Sequence, residues 1–361
     1  MKQESRFLIY YKKAKKRIKK LIQGKQKHEF AKEEEHIDSH FVPCVYLRKF
    51  YNETKHLEEI KIKFYNEELI KLKPVPKKAE QICYVEDLYK IKSNTKDCIN
   101  KQMIETMFCN DIEFKYNKYY EKLMINIETN KKPFNIKERN FWIKYIMLQN
   151  QRTKKNIEIT NKIIEMNGTD EKLNENEIKL KQDMMMCGTF YSGTQSTSVD
   201  NICQRLKRTH RLRIVTTKNN DLLTSDNPVI TLCHQSILSK NYTIEEFVKH
   251  NMENAEYVLP ISSQVAIILS PKNYKKPIYM ELDNEDVNYL NENMVYYAFE
   301  SIVAKKFNKN QIKMIERITK KAHEMQSYVG VMTEDGFKRT SQEEDVIRRI
   351  VNCLEQNSIT K

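Results

Sequence analysis

The chain has 361 residues, 40% hydrophobic and 31% charged, a composition that suits a globular protein with a sizeable core. With 6 Gly and 8 Pro it excludes collagen-like, Gly/Ser-linker and Pro-rich architectures, and it disfavours an all-β fold built on frequent tight turns. The formal charge is +14, and no apolar run approaches the roughly 18 residues that a membrane-spanning helix needs.

Much of the positive charge is concentrated at one end. Residues 1–28 hold 11 cations against Glu4 alone. Residues 5–23 read as a basic helix with apolar positions at spacings of three and four, stopped near Gly24. A basic N-terminal arm over 1–35 follows from this, with Lys12, Lys13, Lys15, Lys16, Arg17, Lys19 and Lys20 as candidate contacts to the phosphate backbone of RNA or DNA. An anionic membrane surface is a lesser option. A solvated terminal helix is the plainest. Lys outnumbers Arg 50 to 13, so part of the lysine excess carries no function.

Residues 36–356 are expected to form a single α+β domain. Residues 57–65 alternate as a strand does, residues 73–81 form a loop, and a short strand follows near 82–91. Long helices are predicted over 98–128 and 136–166, the second ended by Asn167-Gly168, with a polar helix over 169–186. Residues 187–200 are small and polar, a connection or a helix start. The period then shortens: LRIVTT, DLLTSDNPVITL, EYVLPI, QVAIILS and PIYMEL read as strands. Residues 284–328 are helical again, and 340–356 make a last helix. The expected fold is helix-rich α+β with a small central, mostly antiparallel sheet.

The 8 cysteines include no Cys-x-x-Cys pair and no His at ligand spacing, so a zinc ribbon or finger is disfavoured. Reduced thiols and a cytoplasmic location are expected. Six Gly leave little room for a P-loop, a dinucleotide fingerprint or a nucleophile elbow. Arg205-x4-His210 matches a ribonuclease spacing no better than chance. Glu59-Ile60-Lys61 lacks the Pro-Asp strand that a metal-dependent nuclease would place before it.

Six segments occur in a telling order: HFVPCVYLRKF from His40, ICYVEDLY from Ile82, IETMFCNDIE from Ile104, IMLQNQRT from Ile146, LLTSDNPVI from Leu222 and YVLPISSQVAIILSP from Tyr257. Together they resemble the bacterial domain-of-unknown-function family numbered 4238, over about residues 36–305. Pro260-Ile261-Ser262 stands where that family has Pro-Leu-Ser. The resemblance implies an architecture and a set of site residues, but no reaction and no cofactor.

Five residues emerge as candidates. His40 can relay protons near neutrality or donate to phosphate; the bland alternative is a buried His bonded to backbone. Gln149 and Arg152, three apart on a helix, share a face. They read as a clamp on phosphate or carboxylate, or as a buried network pinning helix to sheet. Asp226, at a strand end before Asn227-Pro228, is the nearest carboxylate for Arg152 by motif, with Glu105 as the reserve. Asp226 equally suits a plain turn. Two function classes follow. One is an enzyme acting on a phosphodiester or another anion, such as a nuclease in a bacterial defence or toxin setting. The other is a non-catalytic nucleic-acid-binding or interaction protein with a structural polar core.

Overall fold

The computed structural model describes residues 37–65, 68–92, 101–170, 173–191, 196–218, 221–233, 254–326, 331–333 and 336–338. The basic arm, its candidate lysines and the expected helix 340–356 lie outside the described residues. The chain begins with β1 Asp38–His40, α1 Cys44–Leu47, β2 Leu57–Lys61, β3 Phe64–Tyr65, β4 Glu68–Leu69, β5 Val75–Lys77 and β6 Tyr84–Glu86. Helices α2 Met103–Met107, α3 Phe114–Glu128, α4 Ile136–Gln151, α5 Lys154–Asp170, α6 Glu175–Phe190 and α7 Ser198–Thr209 follow, with a π-helical stretch Phe108–Glu113 joining α2 to α3. Then come β7 His210–Thr216, β8 Thr224–Ser225, β9 Ile230–Cys233, β10 Ala255–Pro260, β11 Val265–Pro271 and β12 Tyr279–Glu281. Helix α8 Asn284–Tyr297, β13 Ser301–Ala304 and α9 Lys309–Gln326 close the main body. The fold is α+β, and among the described residues no helix is long and apolar enough to cross a membrane.

Two compact units divide this chain. Of the described residues, the first takes those up to Leu47 and within Ala79–Arg208; the second takes those within Arg48–Lys78 and from Thr209 on.

The first unit is mainly helical. Capping boxes start two of its helices: Asn135 with Glu138 at α4, and Asn174 with Glu177 at α6. Each satisfies two backbone or cap donors that a helix start would otherwise orphan. On α4, Trp142, Tyr145, Ile146 and Gln149 recur at helical spacing and are all buried. They meet α3 through rings: Tyr116 lies 5.5 Å from Trp142 and 4.8 Å from Tyr145, centroid to centroid. The helix expected over 136–166 is in fact two. It breaks at Arg152, whose φ −82 and ψ 0 end α4, and resumes at Lys154. Helix α5 then runs through Asn167-Gly168 to Asp170, since a single Gly costs a helix only about 1 kcal/mol.

The second unit holds a five-stranded sheet in the order β12-β7-β11-β10-β9 and a four-stranded sheet β5-β2-β13-β8. Within these two sheets the β12–β7 pair is parallel and the others antiparallel. An aliphatic core includes Ile60, Val215, Ile230, Val258, Met294, Ile302 and Ile315. Two expectations are corrected here. The helix predicted over 284–328 is interrupted by β13, whose Ile302, Val303 and Ala304 are fully buried between β2 and β8. An apolar run as short as Ile302–Ala304 cannot be told from a buried helix turn by periodicity. The loop predicted over 73–81 contains β5, an edge strand that tolerates Pro76 because its outer side needs no donor.

Candidate functional site

Three consecutive residues at the end of β1 each receive a side chain from elsewhere in the first unit. Ser39 donates its hydroxyl to Glu105. The carbonyl of His40 accepts from Arg152 Nη2 at 2.6 Å. The carbonyl of Phe41 accepts from Gln149 Nε2 at 2.8 Å. Among the described residues strand β1 pairs with β6 alone, which places His40 opposite Tyr84 and leaves its other edge to such donors. Four of the five candidates, His40, Glu105, Gln149 and Arg152, thus gather around one strand end.

Arg152 is 1% exposed and fully engaged. Its Nη1 lies 3.1 Å from Glu113 Oε1. Its Nε reaches the Tyr89 hydroxyl at 3.5 Å, and that hydroxyl donates to the Arg152 carbonyl at 2.5 Å. Phe108 stacks beneath it, 4.0 Å from Cζ to the ring centroid. Burial works against its charge, but Tyr89 and Glu113 outweigh burial and hold its pKa above the ordinary value. The carboxylate partner is therefore Glu113, in place of the expected Asp226.

Helix geometry explains how Glu113 comes to share this site with Glu105. In an unbroken α-helix, residues eight apart lie roughly 80° round the axis from each other. The π-helical stretch Phe108–Glu113 absorbs one extra residue, so the pair falls within about 20° of one face. Glu113 and Tyr89 both lie within the six ordered segments, yet single-residue reading passes over them. The available signals were a second Glu in IETMFCNDIE and the hydroxyl at the end of ICYVEDLY.

Glu105 is the carboxyl that this setting brings toward neutrality. Burial, opposed by Arg152 and reinforced by Glu113, pushes its carboxyl up to about 7. Its Oε2 has no hydrogen-bond partner, and neither have His40 Nε2 and Gln149 Oε1. The His40 ring lies 5.5 Å from that of Tyr84. Glu113 is 22% exposed and Cys109, on the same π stretch, faces solvent. The cluster therefore lies just beneath the surface of the unit.

Asp226 belongs to the second unit, where its carboxylate is filled. It accepts from the backbone N–H groups of Phe299, Glu300 and Ser301 at 2.9, 2.6 and 3.1 Å. Burial raises its pKa to about 6 while these three donors pull it down. It ties the end of β8 to the start of β13, the turn role that an Asx residue before Asn-Pro allows.

A small cleft of about 60 Å³ lies elsewhere in the first unit, lined by Gln151, Asn156, Asn161, Gln182 and Phe190 among others. It holds a few waters at most, and its Asn156 and Gln182 amides already donate to Asn150 and Glu165. The unpartnered atoms at β1 carry more chemistry than this cleft. Among the described residues no group of three or more His, Cys, Asp or Glu side chains is arranged to hold a metal ion.

The family model described as "Protein of unknown function (DUF4238)" matches residues 39–308, and the chain belongs to that family. Comparison with curated proteins and with solved structures finds no match.

Proposed function

For this member of the DUF4238 family, we propose an enzyme that works by proton transfer at Glu105 on a phosphodiester or another anionic substrate, a nuclease being the specific form expected. The reading is carried by one observation: a buried carboxyl, pushed up to about 7, with Oε2 unpartnered beside a second carboxylate. A general acid or base is most effective when it titrates near the working pH. Glu113 and Arg152 form an ion pair that fixes the local field beside Glu105. His40 Nε2 and Gln149 Oε1 are free to hydrogen-bond a substrate or its attacking water. The anionic substrate class is supported by the net charge of +14 and not by the cluster itself. Arg152 is spent on Glu113, Tyr89 and backbone, so an anion clamp on it finds no support.

A second reading has its own support. Gln149 and Arg152 donate to main-chain carbonyls, and Asp226 accepts from main-chain N–H groups, which is what a structural polar core does. The test is incubation of the full chain with labelled RNA and DNA, with and without divalent metal, beside Glu105→Gln and His40→Ala. Under the enzymatic reading Glu105→Gln loses about 100-fold or more in rate while its circular dichroism is unchanged. The wild-type rate then shows an inflection near pH 7. Undiminished turnover by Glu105→Gln, or no turnover by the wild type on either polymer, leaves the structural reading.

A further inference from the structure

We propose that the second unit carries an oxyanion-binding site, built on Arg211 and Arg213 of β7, which takes a dianionic phosphate group. The two arginines alternate along the strand and so project from the same face of the sheet. Arg213 is 1% exposed, yet only its Nη2 has an acceptor, the Tyr274 carbonyl; Nε and Nη1 have none. Arg211 donates Nη2 to the carbonyls of Tyr274 and Lys276 at 2.5 and 2.9 Å and leaves Nε unmatched. Three guanidinium nitrogens on neighbouring side chains are therefore buried without partners. Native proteins rarely tolerate this for a charged donor unless a ligand completes it.

The charge around the pair has the same sign. Across the sheet, Arg211 stands opposite Ser270 and Arg213 opposite Ile268. The carboxylate that Arg213 feels is Glu256, which accepts from Ser270 and lies 3.9 Å from Lys276 Nζ. Arg211, Arg213 and Lys276 against Glu256 leave two positive charges. The exposed residues of the turn over the pair add Lys272 and Lys275 and no acid. A compact dianion matches that surplus where a single carboxylate would not. Residue choice points the same way: in a chain with 50 Lys and 13 Arg, alternate positions of one strand carry the side chain whose planar fork fits phosphate oxygens. Because the Tyr274 carbonyl of the turn caps Nη2 of both arginines, entry requires the turn around it to lift.

The test is binding alone and does not depend on any activity at Glu105. The melting temperature of the full chain is followed against inorganic phosphate, phenyl phosphate, dimethyl phosphate and acetate, for wild type, Arg211→Gln and Arg213→Gln. Phosphate and the monoester are expected to raise it in proportion to the logarithm of their concentration, with dimethyl phosphate and acetate weaker by about tenfold or more. Both substitutions should weaken phosphate binding at least tenfold. If Arg213→Gln does not fold, Arg211→Gln and phosphorus NMR line-broadening on the wild type decide the matter. No phosphate binding by the wild type overturns the proposal. So does binding that survives substitution in every variant that folds, which would locate it elsewhere on this basic chain. A diester bound as tightly as the monoester overturns the dianion assignment.

Discussion

Arg152 of the first unit and Arg213 of the second are both 1% exposed, yet every guanidinium nitrogen of Arg152 has a partner while only one of Arg213 has. The surrounding cores differ in kind as well. Arg152 rests on Phe108 and Tyr89, near a cluster of Tyr116, Trp142 and Tyr145 rings. Those rings leave the Tyr116 and Tyr145 hydroxyls and Trp142 Nε1 without acceptors. The core of the second unit is mainly aliphatic, and several of its buried polar groups are closely matched. Asn291, for instance, accepts from Leu223 N at 2.8 Å and donates to Asp221 O at 3.0 Å. Unmatched atoms fall at both candidate sites, on His40, Glu105 and Gln149 in the first unit and on Arg211 and Arg213 in the second.

The largest effect expected from this contrast is at Arg152. Arg152→Met strands Glu113 and the His40 carbonyl, and should cost about 3–5 kcal/mol, the range for removing one partner of a buried pair. Trp142 is the single tryptophan and lies in the first unit, so denaturant unfolding followed by its fluorescence reads this directly. An unchanged midpoint would break the account of Arg152 as a fully used cation. Asp226→Asn comes next. It replaces a carboxylate that accepts three backbone N–H groups with one carbonyl oxygen, and should cost roughly 1–3 kcal/mol in the same experiment followed by far-ultraviolet circular dichroism.

Glu105→Gln should have an effect that depends on pH. The folded state raises this carboxyl from its ordinary 4.5 to about 7, so the folded chain binds the proton more tightly than the unfolded one. Wild-type stability from this group is then fully present below about pH 4.5 and is lost as pH rises through 7. The variant should gain on the wild type between pH 5 and pH 8 by roughly 2 kcal/mol. A difference in melting temperature that is flat across that range would remove Glu105 as a perturbed acid. The smallest effect belongs to Arg213→Met, which deletes unmatched donors and should leave stability within about 1 kcal/mol of wild type, or raise it. A loss as large as that of Arg152→Met would show that the two arginines are equally well held.

Much of this was legible in the residues. The stripe through Trp142, Ile146 and Gln149 put the amide of Gln149 inside, and an inward amide needs an acceptor, which the Phe41 carbonyl provides. The ordered segments mark His40, Glu105, Gln149, Arg152 and Asp226 as one group, and the first four gather while Asp226 lies in the second unit. The partner of Arg152 was not legible, because it depends on a π-helical stretch that rotates Glu113 onto the face of Glu105 and on a helix that stops at Arg152 itself. Neither leaves a mark on a 3.6-residue period.

The class of the fold, the inward face of α4 and the family are readable without coordinates, because each is written in local periodicity or in short ordered segments. Tertiary structure alone decided that residues 48–78 belong with the chain beyond Thr209, where Ile60 of β2 stands opposite Ile302 of β13. It also decided that Arg152 holds Glu113 while Asp226 turns to the backbone of Phe299, Glu300 and Ser301. Strand pairing and buried ion pairs are settled by which distant groups compete for the same donor once water is excluded, and no local pattern records the outcome of that competition.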